Sequence, residues 1–342
     1  MISILLATYN GEKYLTEQLD SLFNQTVPFD TLYIQDDCST DGTWELLESY
    51  QQQRLELSAL QQPQQHEQSA PHYGQPITNK SQSAQRPWQM NLCKNQENSG
   101  SAKYNFYSLM SRVRDEYILL CDQDDVWLPD KIKKTLTKMH ELEKQYGADT
   151  PLLVHTDLTV VDAQLNVISP SFKTAMNANY HRTRLNELII QNTLTGCTAL
   201  YNRALAELIK EQNPEFMVMH DWWLILVAST FGHIDSLDEM QTVLYRQHGT
   251  NEIGAADVRT LRYKIHKLRK YREIKEALSN TYIQASSLLA YYYNQLSAEQ
   301  VAFLTDYCKI PAMNKLNRWR AICRLNVQKN GIARKIANFI FI

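Results

Sequence analysis

Residues 116–125 read EYILLCDQDD, an aliphatic run of strand length that is followed at once by carboxylates. An apolar run without polar alternation is typical of a strand buried on both faces of a parallel sheet. Three earlier runs of the same kind are separated by helical patterns: ISILLATY (2–9), TLYIQDD (31–37) and WQMNLC (88–93). Strands that alternate with helices predict an α/β fold with a doubly wound, mostly parallel sheet flanked by helices.

The rest of the chain divides into an insertion, a second set of elements and a helical end. Residues 51–87 are rich in Gln, Ser and Pro with almost no apolar period, which predicts a solvated surface insertion. From about 255 the pattern is helical, basic and Tyr-rich, so we expect a domain over 1–254 and a helical C-terminal region over 255–342. Between them we expect strands over 152–162, over 196–201 and ending near 249, and helices near 182–191 and from about 222.

The composition of the chain argues against several classes of protein. A formal net charge of −2 gives no overall attraction to nucleic acid or to anionic lipid. The six cysteines are scattered without a C-x-x-C pair, which disfavours disulfides or a zinc site and favours a reducing compartment. The N-terminus lacks the basic segment of a signal peptide, and the longest later apolar run, 222–228, is too short to span a membrane. We expect a cytoplasmic protein that is soluble or peripheral.

Carboxylates follow two of the predicted strands at the edge of the sheet where ligands gather. Asp36 and Asp37 end one strand, and the DQDD run begins at Asp122. One such acid is more often a helix cap, but a cluster of like charges at one crevice favours a bound cation. The chain has neither a G-x-G-x-x-G nor a P-loop motif to hold phosphates. Carboxylate oxygens suit Mg²⁺ or Mn²⁺, so we expect one of these ions as the cofactor.

Several motifs in this order resemble those of family 2 glycosyltransferases with the GT-A fold: ISILLATYNGEKYLTEQLDSL, IQDDCSTDGT, NSGSAKYNF and LLCDQDDVWLPDKI. The last of them, together with HDWW and YRQHGTNEIG, is similar to bacterial rhamnosyltransferases of O-antigen and capsule assembly. The resemblance covers roughly residues 2–250, and only the insertion over 51–87 departs from it. It implies a nucleoside-diphosphate sugar donor and a divalent metal ion.

The resemblance also implies roles for individual residues. Those near the nucleotide are Thr8, Tyr9 and Asn10 at the base and ribose, Asp36 or Asp37 at the pyrimidine, and Asp122 near the ribose. Those further along are Asp124 on the metal, Asp221 as the catalytic base, and Arg246, Gln247 and His248 where the family closes over the diphosphate, with His248 as a further metal ligand.

Two of these roles have simpler alternatives. Asp221 precedes the apolar run WWLILVAS, so its carboxylate could cap that helix as well as act as a base. His248 lies in a polar run, where a histidine is often only solvated. Of the tryptophans that follow Asp221, either one stacks on an acceptor sugar and the other packs in the core, or both are core residues.

The resemblance favours dTDP-L-rhamnose as the donor and UDP-linked hexoses as the second choice. The expected acceptor is a glycan or a lipid-linked glycan, and the expected reaction is a transfer with inversion that builds a surface polysaccharide. Two other classes remain open: a nucleotidyltransferase, although TYNGEKY lacks its usual Gly-rich basic loop, and an inactive scaffold, although the acids and Asp221 are retained.

The C-terminal region carries a separate signal. After Asp306 the chain has no acid, and its basic residues are interleaved with apolar ones that include Trp319, Ile322, Phe339 and Phe341. A helix with one basic and one apolar face is suited to an anionic membrane surface. The alternative is a helical end that packs on the catalytic domain. Nucleic-acid binding is not expected, because nothing resembles a recognition motif.

Overall fold

The computed structural model describes residues 1–60, 88–210, 212–248 and 271–342. Its centre is a nine-stranded sheet in the order β3-β2-β1-β4-β8-β6-β9-β5, with β7 paired to β6. The strands are β1 (Ile2–Thr8), β2 (Thr31–Asp36), β3 (Gln89–Lys94), β4 (Tyr117–Asp122), β5 (Val126–Trp127), β6 (Leu152–Val161), β7 (Val167–Ser169), β8 (Leu200–Asn202) and β9 (His233–Arg246).

Helices cover both faces of this sheet. Those that precede residue 150 are α1 (Glu12–Phe23), α2 (Thr43–Leu60), α3 (Ala102–Met110) and α4 (Lys131–Tyr146). The middle of the chain contributes α5 (Phe172–Ala175), α6 (Leu185–Leu188), α7 (Arg203–Leu208) and α8 (His220–Phe231). The C-terminal helices are α9 (Tyr271–Tyr292), α10 (Ala298–Lys309), α11 (Lys315–Leu325) and α12 (Ile332–Phe341).

The first four strands pair in parallel, as the sequence predicts. β1 lies between β2 and β4, and β2 also pairs with β3. The register aligns Thr8 with Asp36 and Ala7 with Asp122, so the polar groups that end these strands meet at one edge. Beyond β4 the sheet is mixed: β8 runs antiparallel to β4 and β6, whereas β9 runs parallel to β6. The expected α/β sheet flanked by helices is confirmed, and its parallel pairing is concentrated in the first half of the chain.

β1 and β4 are buried because their successive side chains enter different cores. In β1, Ile4 lies in one hydrophobic cluster and Leu5 in the other. In β4, Leu119 and Leu120 divide between the clusters in the same way. A strand that is apolar on both faces therefore reads as a continuous aliphatic run, which is why it could be recognised in the sequence.

Three sequence predictions about elements need correction. β3 lies at the edge of the sheet, and most of its side chains are exposed rather than buried on both faces. α2 continues to Leu60, so ten residues of the predicted insertion over 51–87 are helical, and residues 61–87 lie outside the described part. The helix expected near 182–191 is the single turn α6, and residues 196–201 form a 3₁₀ turn followed by β8.

The C-terminal helices share a core with the rest of the molecule. Leu288 of α9, Tyr307 of α10 and Ile322 of α11 are buried in the same cluster as Leu5 of β1. The predicted boundary at 254/255 lies outside the described residues. Among the helices that the structure describes, none combines the length and the hydropathy that crossing a bilayer requires. All six cysteines are free, as expected from their spacing.

Candidate active site

The loops that follow β1, β2 and β4 are joined by hydrogen bonds. The Tyr9 backbone N–H donates to Gln123 Oε1 at 2.8 Å, and Gln123 Nε2 donates to the Tyr9 carbonyl at the same distance. Asn10, at a φ of 49°, accepts the Thr40 backbone N–H at 2.8 Å. The Tyr9 side chain is 47% exposed, so it is available to a ligand at this edge. Tyr9 and Asn10 thus lie in one crevice with the DQDD loop.

Asp36 and Asp37 are both buried and hydrogen-bonded to protein groups. Asp36 accepts the Thr8 hydroxyl at 3.0 Å and the Ser39 backbone N–H at 2.9 Å. Asp37 accepts the Ser99 backbone N–H at 2.8 Å and the Ser99 hydroxyl at 2.7 Å. Asp36 therefore fastens β1 to the loop after β2, and Asp37 fastens that loop to the segment before α3. Thr8 is buried, and its hydroxyl is directed towards Asp36.

Asp124 and His248 form a close pair from distant parts of the chain. His248 Nε2 lies 2.7 Å from Asp124 Oδ2, and both side chains keep some exposure, 13% for His248 and 16% for Asp124. The His248 ring also lies against the Tyr14 ring, with centroids 4.8 Å apart. The alternative of a merely solvated histidine is therefore wrong. An imidazole nitrogen and a carboxylate oxygen this close, and open on one side, could bind the same divalent ion.

Arg246 is almost fully buried beneath this pair. Its Nε donates to the Asp124 carbonyl at 2.8 Å, and its Nη1 donates to the Ala163 carbonyl at 2.7 Å. Its Nη2 pairs with Glu17 of α1, and the guanidinium lies over the Tyr14 ring, 4.5 Å from the centroid. Its backbone N–H donates to Asp125 Oδ1 at 3.1 Å. These contacts hold the Asp124 loop in place. Beside Arg246, the Gln247 backbone N–H donates to the Val161 carbonyl at 2.8 Å.

A second group of polar residues lies deeper, under the DQDD loop. Asp125 is buried together with Cys197, and ligand atoms of these two and Asp122 lie within 4.8 Å of one another. Burial and the charges of Asp124 and Asp122 raise the pKa of Asp125 well above its ordinary value. The buried Lys131 ammonium donates to the Cys197 carbonyl and acts electrostatically on both Asp125 and Asp122. The like charges of these acids predict a bound cation, but the positive charge of Lys131 already offsets part of them.

The residues present nevertheless fit a divalent ion. Lys131 offsets the negative charge of Asp122 and Asp125 in the deeper group. The Cys197 thiol in that group is a poor ligand for Mg²⁺, because sulfur is soft and burial raises the pKa of the thiol. The Asp124–His248 pair is nearer the surface and faces the crevice. Oδ2 of Asp125 is buried and has no hydrogen-bond partner within the described residues. A buried carboxyl oxygen without a hydrogen-bond partner, beside two other acids, is consistent with a positive ligand in this loop.

Asp221 lies in the first turn of α8, and Met219 is the N-cap residue. Asp221 is therefore not the N-cap residue, although its carboxylate accepts a backbone N–H of the first turn. The Asp221 carboxylate accepts the Trp222 backbone N–H at 2.6 Å, and it also accepts hydrogen bonds from the Asn192 side chain and the Gly196 backbone. The side chain is only 8% exposed. Burial raises the pKa of Asp221 to about 7, against the opposing effect of those hydrogen bonds.

One loop connects Asp221 to the acids of β4. Gly196 donates its backbone N–H to Asp221, and the next residue, Cys197, contacts Asp125. A Cβ at position 196 would lie 3.0 Å from His220 Nε2 and 3.5 Å from Asp221 Cβ, so a side chain here would crowd α8. The His220 ring is fixed in turn by stacking on Phe106, with centroids 4.1 Å apart. Adjacent residues of one loop therefore link Asp221 to Asp125 of the DQDD loop.

The two tryptophans after Asp221 differ in exposure. Trp223 is buried, and its indole N–H donates to Gln212 at 2.7 Å. Trp222 is partly buried, and its indole N–H donates to the Leu188 carbonyl at 2.7 Å. Trp223 is thus a core residue. This agrees with both alternatives, since each of them has at least one of the two tryptophans in the core. Trp222, which follows Asp221 in the chain, is partly exposed to solvent.

The sequence of this chain matches that of a known protein family. The sequence profile of glycosyl transferase family 2 matches residues 3–70 and 75–209, which is more than half of the chain. The chain belongs to glycosyl transferase family 2. This enzyme is therefore a glycosyltransferase, which removes the nucleotidyltransferase alternative.

Two relatives are named as bacterial glycosyltransferases. The dTDP-rhamnosyl transferase RfbG of Shigella flexneri is 26% identical over 259 residues, covering 73% of this chain and 74% of that protein. The glycosyltransferase TuaG of Bacillus subtilis strain 168, assigned by its name to teichuronic acid biosynthesis, is 25% identical over 236 residues, covering 68% and 73%. The predicted relationship to rhamnosyltransferases is confirmed.

A solved structure shares the fold. S. aureus TarS 1-349 in complex with UDP-GlcNAc matches with a TM-score of 0.52 and 17% identity, covering 94% of this chain and 83% of that one. The longer TarS chain extends further, and this chain covers 44% of it. The GT-A fold with a helical C-terminal region is confirmed.

Proposed function

We propose that this glycosyltransferase moves L-rhamnose from dTDP-L-rhamnose onto a glycan or a lipid-linked glycan, with inversion at the sugar carbon. The observation that carries the proposal is Asp221, a buried carboxylate with a pKa of about 7 that one loop, through Gly196 and Cys197, links to Asp125. A base whose pKa lies near the working pH is suited to accept the proton of an attacking hydroxyl. The similarity to a dTDP-rhamnosyl transferase supports rhamnose as the sugar.

The proposed reaction is a single displacement. The acceptor oxygen attacks the anomeric carbon, its proton passes to the Asp221 carboxylate, and the bond from that carbon to the diphosphate oxygen breaks. The nucleoside diphosphate leaves with the electron pair of the broken bond. The proposal requires that Asp221 lie on the opposite side of the sugar from the diphosphate.

The donor would lie along the carboxyl ends of β1, β2 and β4. Tyr9 and Asn10 are proposed to line the base and ribose, with Thr8 supporting them through Asp36. Asp36 and Asp37 each accept three hydrogen bonds from protein groups, and Oδ2 of each accepts only one, so either could also bind the pyrimidine. Asp122 ends β4 next to this edge, where the resemblance puts the ribose.

A divalent ion, Mg²⁺ or Mn²⁺, is part of the proposal. Asp124 and His248 would hold it, and when bound it would stabilise the negative charge that develops on the diphosphate. Arg246 supports this pair by fixing the carbonyl of Asp124. We therefore propose that Arg246 positions the ligand loop, rather than contacting the diphosphate as the sequence predicts, and that Gln247 remains a candidate for the diphosphate.

The acceptor and the location extend the proposal. Trp222 keeps an exposed part beside Asp221, where an aromatic face could stack on an acceptor sugar. One relative, TuaG, is assigned by its name to teichuronic acid biosynthesis, and the acceptor proposed above includes a lipid-linked glycan. We therefore place the enzyme in the cytoplasm, in peripheral contact with the cytoplasmic face of a membrane.

A donor screen tests the proposal. The purified chain is incubated with Mn²⁺ and a panel of nucleotide sugars, and the released nucleoside diphosphate is measured with and without EDTA. The expected result is the fastest release from dTDP-L-rhamnose and no release in EDTA. Faster release from a UDP-hexose would establish the second candidate donor, which the UDP-GlcNAc complex of TarS favours. Absence of release from every donor, even with acceptor extracts, would support the inactive scaffold instead.

A further inference from the structure

The last helix, α12, presents an apolar stripe on its outer side. Ile332 is 80% exposed, Ile336 is 55% exposed and Ile340 is 52% exposed. Residues four apart lie on the same side of an α-helix, so these three isoleucines form one row. The opposite side packs inwards through Asn338 and, just after the helix, Ile342. The row is therefore a feature of a docked helix and not of a loose end.

The preceding helix continues this apolar surface. Trp319 of α11 donates its indole N–H to the Phe339 carbonyl of α12 at 2.7 Å, so the two helices are adjacent at this point. Trp319 is 38% exposed, and Leu316, one turn earlier, is 54% exposed. We call the three isoleucines of α12 with Leu316 and Trp319 the isoleucine face.

Exposed basic residues lie on the same helices as the isoleucine face. The chain has no acid after Asp306, and eight lysines and arginines follow it. Some of them have roles within the fold: Arg324 pairs with Asp306 at 2.9 Å, and Arg318 donates to backbone carbonyls. Lys315, Arg320 and Lys335 are exposed, and the Lys315 ammonium lies 5.7 Å from the centre of the Trp319 ring. The apolar row and the exposed positive charges thus lie on the same two helices.

This arrangement differs from the one that the sequence predicts. Ile322 is buried, and Phe339 and Phe341 pack against the main core, so these three do not form the exposed surface. For them the alternative of packing on the catalytic domain is correct. The exposed apolar residues are instead the isoleucines, which the sequence analysis did not single out.

We propose that the isoleucine face inserts into the headgroup region of an anionic lipid bilayer. Apolar side chains gain by leaving water, and exposed lysines and arginines gain by approaching anionic headgroups. A second copy of this chain is a poorer occupant, because it would bring two basic, acid-free regions together. The inference goes beyond the proposed reaction, because it does not depend on which sugar is transferred.

Vesicle co-sedimentation tests the proposal without any donor present. The full chain is mixed with phosphatidylglycerol vesicles or with phosphatidylcholine vesicles, at low salt and at high salt. Wild type is compared with two triple variants. The isoleucine variant combines Ile332→Gln, Ile336→Gln and Ile340→Gln. The matched control combines Val167→Gln, Ile168→Gln and Met240→Gln. The control removes three apolar residues that are equally exposed, at 63%, 61% and 42%, but lie on β7 and β9.

The expected result is specific to the face and to the lipid charge. Wild type and control pellet with phosphatidylglycerol vesicles, and the isoleucine variant loses roughly tenfold or more in vesicle affinity. Binding weakens as salt rises but does not vanish, because insertion of apolar groups is not screened. An unchanged thermal unfolding temperature of the variant shows that it is folded, since the substituted side chains are exposed.

Two results would overturn the proposal. One is equal pelleting of wild type and the isoleucine variant, including negligible pelleting of both. The other is a wild-type dimer in solution that the isoleucine variant converts to a monomer, with no vesicle binding by either. Neither result bears on the transferase reaction, which the donor screen tests separately with soluble substrates.

Discussion

The carboxyl ends of β1, β2 and β4 are held by paired polar groups, whereas the Asp221 carboxylate is held in a nearly dry setting at the start of α8. Asp36 and Asp37 accept hydrogen bonds from side chains and backbone on neighbouring loops. Asp221 accepts a few hydrogen bonds, and burial still raises its pKa to about 7. Acids that several hydrogen bonds fix in place are suited to binding a ligand. A poised acid can change its charge, which is suited to proton transfer.

The largest expected effect is on the binding side. Asp124→Ala should remove Mn²⁺ binding and lower turnover by roughly a thousandfold or more, since the proposed ion loses a ligand and the diphosphate loses its charge stabilisation. Isothermal titration with Mn²⁺ and turnover assays measure the two effects. Asp149→Ala, at an exposed acid outside the crevice, should change neither. Full turnover of wild type in excess EDTA would refute the metal role.

A smaller effect is expected from pH on the base side. Asp221 acts as a base only when it is deprotonated, so kcat/KM should fall about tenfold per pH unit below its pKa of about 7. Rate profiles between pH 5 and 8 at saturating Mn²⁺ measure this. The same profile for Asp149→Asn should match wild type. A flat profile over this range would show that the group that accepts the proton is not Asp221.

A substitution of Arg246 tests whether Mn²⁺ binding depends on the contacts that hold the Asp124 loop. Lysine cannot reproduce the three donor directions of the guanidinium, so Arg246→Lys should weaken Mn²⁺ binding about tenfold through a less ordered Asp124 loop. The titration of Mn²⁺ in the presence of dTDP measures this, and Arg272→Lys, at an exposed arginine, is the control. Unchanged Mn²⁺ affinity with weaker nucleotide binding would restore the direct diphosphate contact that the sequence predicts.

The smallest effect is a gain in stability on the base side. The pKa of Asp221 is raised from an ordinary 3.8 to about 7, so the folded state binds the proton more tightly than the unfolded state. Stability is therefore lost as pH rises between these values, and the full cost applies above pH 7. Asp221→Asn should raise the free energy of unfolding by about 1–3 kcal/mol at pH 8 and by almost nothing near pH 4. Thermal denaturation at both pH values measures it, and a variant that is less stable at pH 8 would contradict the burial argument.

Much of the fold could be predicted from the sequence, because its signals are local. β1, β2 and β4 are aliphatic runs that end in polar residues, so both the parallel sheet and the edge where ligands gather could be predicted. The exposure of β3 could not be predicted, because its apolar run is short and does not reveal that the strand lies at an edge of the sheet. The sequence of α6 carries a helical pattern, but only one turn of it forms.

The roles of the candidate site residues stay predictions, and the sequence does not reveal the partners that hold them. Asp124, His248 and Asp221 follow recognisable motifs, but the partners that hold them come from distant segments. Lys131 reads as a surface residue of a basic helix, and nothing in its local sequence shows that it is buried beneath Asp125. Glu17 and Asn192 have no local signal either, because their roles arise from tertiary contacts with Arg246 and Asp221.

The central claim is that one side of the crevice binds the donor and the other side accepts the proton. The direct test is Asp221→Asn, with dTDP and Mn²⁺ affinity measured by titration and transfer measured with a soluble acceptor on the same preparation. We predict affinity for dTDP and Mn²⁺ within about twofold of wild type and a kcat lowered by roughly 10²–10⁴-fold. Loss of nucleotide affinity in Asp221→Asn, or transfer at the wild-type rate, would contradict the claim.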